Sequence, residues 1–305
     1  MSINFNYQVA IVTGAGNGLD RSHALELAKR GAKVVINDLG GARDGTGGGS
    51  EAAQEVVALI ESNGGEAIAN GANVADFEQV QEMVAQTMEK WGRVDVLVNN
   101  AGILRDKSFA KMDLSDFQTV MDVHLMGSVN CTKAVWDIMR EQNYGRLVMT
   151  TSSSGMYGNF GQANYGAAKM ALVGFMNTLV IEGKKYGVHV NTLSPTAGTR
   201  MLEDLIDDKQ IMELMSVESV TAGLITLCDR DAPNRTILCA GAGGYATTHI
   251  YETEGIFLPA SEQTAENVRA NIDAINNADG ERILTAGFEQ TNKFVEKAVA
   301  YIKSL

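Results

Sequence analysis

Seven short runs rich in β-branched residues, separated by longer amphipathic stretches, constrain the fold of this chain most. The runs are Gln8–Thr13, Lys33–Asp38, Glu66–Asn70, Val94–Asn99, Arg146–Thr151, Val188–Ser194 and Thr236–Ala240. Between them, Leu19–Arg30, Ser50–Ser62, Phe77–Trp91, Ser115–Glu141 and Ala163–Tyr186 repeat apolar residues at helical spacing. The runs are apolar on both faces, as strands buried between two helical layers must be. Strand–helix–strand alternation of this kind predicts an α/β fold, a Rossmann-like doubly wound parallel sheet of about seven strands.

After Ala240 the pattern changes. A turn at Gly241–Gly244 precedes two predicted helices, Thr264–Asn277 and Phe288–Ser304. The expected organisation is an α/β domain over residues 1–245 and a C-terminal helical extension over 246–305. The segment Gly40–Gly49 is glycine-rich and reads as a loop.

Composition excludes several classes. With 305 residues, 45% of them apolar, the chain can bury a large core. No run of about eighteen apolar residues is present, so no membrane span is expected. A net charge of −12 argues against nucleic acid or an anionic membrane as a main partner. Cys131, Cys228 and Cys239 have no metal or redox spacing, and the four histidines form no metal constellation. A first strand within ten residues of Met1 leaves no room for a signal peptide, and Lys303-Ser304-Leu305 scrambles the peroxisomal Ser-Lys-Leu address. The expected location is the cytoplasm.

The first strand runs into Thr13-Gly14-Ala15-Gly16-Asn17-Gly18-Leu19, and a helix follows. Glycines at such a turn let the backbone approach a pyrophosphate, which rests on the helix N-terminus. Gly14, Asn17, Gly18 and Leu19 are therefore candidate cofactor contacts. Asp38 ends the second strand, twenty residues after Gly18. A carboxylate there accepts hydrogen bonds from a ribose and repels a 2′-phosphate, which selects NAD over NADP. Asn99-Asn100-Ala101-Gly102 follows the fourth strand and faces the same crevice, so Asn100, Ala101 and Gly102 join the candidates.

Tyr165 and Lys169 lie four apart, on one face of a predicted helix. An ammonium beside a phenol favours phenolate and prepares it for proton transfer. Ser152 stands thirteen residues earlier. With the glycine turn, the Asn99–Gly102 segment and these three residues, the chain resembles the short-chain dehydrogenases/reductases. Asn37–Gly41, Gly102–Ala110, Gly158–Tyr165, Asn191-Thr192, Ala197-Gly198 and Arg200-Met201 resemble the (3R)-hydroxyacyl-CoA dehydrogenase branch, found in peroxisomal multifunctional β-oxidation enzymes.

The resemblance implies roles. Tyr165 is the general acid or base on the substrate C3 oxygen, Lys169 holds the phenolate and the nicotinamide ribose, and Ser152 hydrogen-bonds the substrate oxygen. It also implies that Asn73 and Val74 border the adenine, and that Pro195, Ala197 and Thr199 border the nicotinamide. Its expected substrate is a (3R)-hydroxyacyl-CoA or another secondary alcohol such as a hydroxysteroid; a non-catalytic NAD-binding scaffold is the reading from another class. Arg105, Lys107, Lys111 and Arg200 are candidate contacts for the anionic CoA. A homodimer or homotetramer is expected through helices Ser115–Glu141 and Ala163–Tyr186. Two positions depart from the family pattern: Asp20 stands where a third glycine is usual, and His124 where asparagine is common. Asp20 is expected to weaken NAD binding or to cap the helix. His124 is expected to be a packed core residue or to contact a relay water.

Overall fold

A computed structural model describes residues 2–42, 44–49, 51–196 and 214–305. By its internal contacts the chain forms two compact units, 1–247 and 248–305.

The first unit is built on an eight-stranded sheet. Its strands are β1 (Val9–Thr13), β2 (Lys33–Asn37), β3 (Glu66–Asn70), β4 (Val96–Asn99), β5 (Gly145–Thr150), β6 (Val188–Pro195), β7 (Ile237–Gly241) and β8 (Gly244–Thr248). They lie in the order β3-β2-β1-β4-β5-β6-β7-β8. The first seven pair in parallel, for instance Val12 opposite Ile36 and Val98. The eighth strand was not expected. It returns from β7 through Ala242 and Gly243, both at positive φ (50° and 74°), the backbone of a tight hairpin turn.

Helices cover both faces: α1 (Gly18–Lys29), α2 (Glu51–Ser62), α3 (Phe77–Trp91), α4 (Leu114–Met121), α5 (Gly127–Gln142), α6 (Ser153–Tyr157), α7 (Ala163–Gly183) and α8 (Val217–Cys228). Side chains alternate between the two faces along each strand. Ala10, Val12, Val34, Ile36, Val96, Val98 and Val148 meet Ala24 and Leu27 of α1, Val56 of α2 and Leu224 of α8. Ile11, Val35, Leu97, Leu147 and Met149 meet Val80 and Met83 of α3, Val135 of α5 and Leu172 of α7. Burial of both faces is why these strands carry no polar alternation.

The sheet order reverses between β1 and β4, and the carboxyl ends of those strands open a crevice there. The expected single helix Ser115–Glu141 is interrupted: a π-helical turn, Asp122–Met126, joins α4 to α5. The second unit contains the pair β9 (Tyr251–Glu252) and β10 (Arg282–Ile283), with α9 (Ala265–Ala270), α10 (Ile272–Ile275) and α11 (Gly287–Lys303). The expected helix Thr264–Asn277 is thus split at Asn271.

Candidate active site

The crevice is organised by Thr13 at the end of β1. Its Oγ1 donates to Val98 O at 3.3 Å and accepts the N–H groups of Asn100 and Ala101, each at 3.1 Å. One hydroxyl thereby fastens the loop after β4 to the turn after β1. In that turn Gly14 and Gly18 hold φ of 76° and 56°, where a side chain is strained. Gly16 is fixed by space instead: a Cβ would lie 2.6 Å from Asp38 Oδ2 and 2.9 Å from the Ala52 Cβ. Its N–H donates to Asp38 Oδ2 at 2.7 Å, and Gly40 N–H donates to Asp38 Oδ1 at 2.7 Å. These bonds aim the carboxylate and still leave each oxygen a second acceptor site. Asn17 and Gly18 are exposed at the N-terminus of α1, and Leu19 packs on the core beneath it. A bare backbone groove, a helix N-terminus and an oriented carboxylate fit a dinucleotide.

Ser152, Tyr165 and Lys169 come together at the carboxyl end of β5. Ser152 precedes α6 and accepts from Ser154 N–H at 3.2 Å. Tyr165 and Lys169 sit one turn apart on α7, with the ammonium 5.5 Å from the phenol ring centre. Lys169 is 3% exposed, and its Nζ donates to Thr150 O at 2.6 Å. Burial brings its pKa down to about 8, opposed by the Asp20 charge. Burial raises the Tyr165 phenol above its ordinary value; the Ser152 hydroxyl counteracts this, and Asp106 adds to it. The phenol was expected to be lowered by Lys169. Here desolvation outweighs the pairing, because the ammonium points at the Thr150 carbonyl.

His124 lies in the π-helical turn and is buried. Its Nε2 is 2.8 Å from Ile103 O and 3.1 Å from Ile103 N, and its ring stands edge-on to Tyr165 with centres 5.2 Å apart. Burial, the Lys169 charge next, lowers its pKa to about 3, so the ring is neutral. A Cβ on Gly102 would lie 2.3 Å from the His124 Cε1, so the backbone of that loop passes directly over the imidazole. Of the two expected roles, this is the packed, hydrogen-bonded one.

Other candidates divide. Asn73 shapes its own loop: its Oδ1 accepts from Ala75 N–H at 3.0 Å. Val74 is buried against Gly127, whose Cβ would meet Val74 Cγ2 at 2.6 Å. Pro195 ends β6. Ala197, Thr199 and Arg200 lie outside the described residues. Arg105 and Lys107 are not free for an anion: both pair with Asp116, at 2.9 and 3.2 Å, and Lys107 also with Asp113 at 3.1 Å. The glycine-rich loop reaches this cluster through Arg105 Nε, which donates to Asp44 O at 3.1 Å.

A polar network beside the trio was not anticipated. Gln162 donates to Asp106 Oδ2 at 2.8 Å and accepts from Ser154 Oγ at 2.8 Å and Asn159 Nδ2 at 3.0 Å. Only Asp106 is distant in sequence, 56 residues before Gln162, and only the position of Gln162, three before Tyr165, hinted at the network. Asp20 is partly buried, with its Oδ1 shut off from solvent, and desolvation raises its carboxyl well above the usual range. Among the described residues no group of three or more His, Cys, Asp or Glu could hold a metal ion, and no helix is long and apolar enough to cross a membrane.

The short chain dehydrogenase family model matches residues 8–210. Peroxisomal multifunctional enzyme A of Dictyostelium discoideum is 42% identical over 96% of this chain, which spans 65% of that protein. A short-chain type dehydrogenase/reductase of Mycobacterium tuberculosis is 43% identical over 92% of this chain and 98% of its own length. The structure of full-length peroxisomal multifunctional enzyme type 2 from Drosophila melanogaster superposes with a TM-score of 0.81 at 36% identity, covering 96% of this chain and 50% of that one. The chain therefore spans less than two thirds of the multifunctional relatives it matches. With the glycine turn, the reversed sheet order and the matched span in agreement, the chain belongs to the short chain dehydrogenases.

Proposed function

We propose that this protein is an NAD-dependent dehydrogenase that moves a hydride between NAD and C3 of a (3R)-hydroxyacyl-CoA. The observation that carries the reading is the convergence of Ser152, Tyr165 and Lys169 on the crevice whose other wall is the Gly14–Gly18 turn and Asp38.

When bound, the nicotinamide supplies the hydride acceptor or donor. The chain's residues bind, orient and move a proton. The N–H groups at the start of α1 hold the pyrophosphate, with Gly14 and Gly18 giving it room. Asp38 accepts the adenosine ribose hydroxyls and repels a 2′-phosphate. Asn100, Ala101 and Gly102 line the crevice, Asn73 and Val74 border the adenine through their backbone, and Pro195, Ala197 and Thr199 border the nicotinamide. Ser152 donates to the substrate oxygen and stabilises its developing charge. Tyr165 exchanges the proton with that oxygen. Near neutral pH the phenol stays protonated, which suits donation to a forming alkoxide; in the oxidative direction it must lose that proton first, and Lys169 provides the charge that favours this.

Residues 1–245 carry this chemistry and 246–305 form an extension in this reading. Cys131, Cys228 and Cys239 form no disulfide, which suits a reducing cytoplasm. The homodimer or homotetramer rests on family resemblance at α5 and α7, where Met170 and Ile181 are exposed apolar residues; sedimentation equilibrium reads it directly.

The experiment is NADH formation on mixing the protein with NAD and separate 3-hydroxyacyl-CoA enantiomers. Turnover of the (3R) form alone supports the proposal. Turnover of a hydroxysteroid without acyl-CoA turnover replaces it with the secondary-alcohol reading, and no turnover of any alcohol leaves a binding scaffold.

A further inference from the structure

Gln162 stands at the N-cap of α7, a position where short polar side chains bond the first N–H groups of a helix. Its side chain makes no such bond. It is buried and turned aside. A carboxylate only accepts, so the 2.8 Å contact with Asp106 Oδ2 fixes Nε2 on that side of the amide. Oε1 then faces Ser154 Oγ and Asn159 Nδ2, and both donate to it, at 2.8 and 3.0 Å. Gln162 thus gives up a helix cap and joins the loop after β4 to the start of α6.

The start of α6 carries Ser152. Helix α6 has five residues, too few to hold a helical turn alone, so its place is set by what it packs on. A Cβ on Gly155 would lie 2.9 Å from Met170 N, and one on Gly166 3.0 Å from Ser154 O, so α6 and α7 meet at their backbones. Ser152 caps α6: its Oγ accepts the Ser154 N–H at 3.2 Å, which leaves its own proton to point away from that group. The one proton of the neighbouring Ser154 hydroxyl is engaged by Gln162. The loop that carries Asp106 is docked on α7 by two further bonds, Asn164 Nδ2 to Arg105 O at 3.1 Å and Lys107 N–H to Gly161 O at 2.9 Å. Neither uses the Gln162 side chain, so replacing that side chain leaves the loop attached.

We propose that Gln162 is a positioning residue of this site: by tying Ser154 to Asp106 it holds the cap of α6, and with it the Ser152 oxygen, where the substrate oxygen is met. This rests on the reading that Ser152 donates to that oxygen. Gln162 acts through Ser152 and has no part in the cofactor turn. Its loss therefore lowers turnover and leaves cofactor affinity as it was. A donor displaced by up to about 1 Å costs roughly ten- to a hundredfold in rate.

Gln162→Met keeps the length of the side chain and removes its amide. Asp106→Ala breaks the tether from its exposed end and serves if Gln162→Met does not fold. Turnover of a (3R)-3-hydroxyacyl-CoA with NAD and the Kd of NADH are measured for the variant, for Ser152→Ala and for the two combined. Crystal structures of the wild type and the single variant are compared at the contact between Ser152 and Ser154. The expected result is a kcat lower by about ten- to a hundredfold with NADH affinity unchanged. In the Ser152→Ala protein the same substitution costs less than about twofold more, because the residue it acts through is already gone. In the variant crystal structure Ser152 Oγ has left the Ser154 N–H. An unchanged kcat, a full further loss in the Ser152→Ala protein or an unmoved Ser152 overturns the proposal. If the wild type oxidises no alcohol, the dehydrogenase reading falls and the two crystal structures decide alone: a displaced Ser152 upholds the positioning, and an unmoved one overturns it.

Discussion

Lys169 shows how a functional residue opposes the fold that holds it. Its pKa falls from an ordinary 10.5 to about 8, so the unfolded chain binds more protons between those values, and stability rises with pH through that window. Below it the buried ammonium is a burden. Lys169→Met is expected to abolish turnover while leaving the melting temperature unchanged or raised, corresponding to about 0–2 kcal/mol after the lost bond to Thr150 O is discounted; a clear drop in melting temperature contradicts this. Tyr165→Phe removes the proton and little volume. Its kcat should fall roughly a hundred- to ten-thousand-fold with NADH binding retained, as steady-state kinetics and a fluorescence titration together reveal. Asp38→Asn keeps the shape and removes the charge. NADH affinity should fall about tenfold, roughly 1.5 kcal/mol, while NADPH binding improves; unchanged preference in paired titrations removes Asp38 from the specificity argument.

At the scale of elements, the turn between β1 and α1 is tuned by two different constraints. Gly14 and Gly18 need positive φ, whereas Gly16 needs the space that Asp38 fills. Gly16→Ala should therefore cost about 1–3 kcal/mol in urea denaturation and also weaken NADH, since the displaced group is the ribose acceptor itself. An alanine variant with wild-type affinity means Asp38 can move without consequence. The π-helical turn at Asp122–Met126 is the other informative element. Its sequence continues an amphipathic helix, so periodicity alone reads Ser115–Glu141 as unbroken. The extra residue in the turn carries His124 beneath Gly102 and beside Tyr165, a placement set by packing between α4, α7 and the loop after β4. The split at Asn271 and the hairpin strand β8 were missed for a similar reason: short elements carry too few residues for a period to show.

Across the whole molecule, two histidines are buried as neutral rings. His23 bonds Thr221 Oγ1 at 2.8 Å, and burial lowers its pKa to about 3, like that of His124. With the folded values depressed and the unfolded ones near 6.5, the unfolded chain takes up more protons in acid. The contribution is complete above about pH 6.5 and is lost as pH falls toward about 3, amounting to about 2 kcal/mol per ring by about pH 5. Urea titrations of the wild type and His23→Gln at a neutral and an acid pH should show the variant losing less stability; equal losses assign the acid sensitivity elsewhere.

The amino-acid sequence determined by itself the seven parallel strands, the helices between them and the position of the crevice. These follow from local signals: β-branched runs, helical periods, and glycines at the one turn where the backbone must come close to a ligand. It also placed Ser152, Tyr165, Lys169 and Asp38, because their spacing to the strand ends survives folding. Only the tertiary structure decided what those residues are electrostatically. That Tyr165 is raised, that Lys169 is lowered, that Arg105 and Lys107 are already paired, and that one oxygen of Asp20 is shut off from solvent depend on desolvation and on neighbours from distant segments. No spacing rule carries that information, since the dielectric around a side chain is set by everything that packs on it.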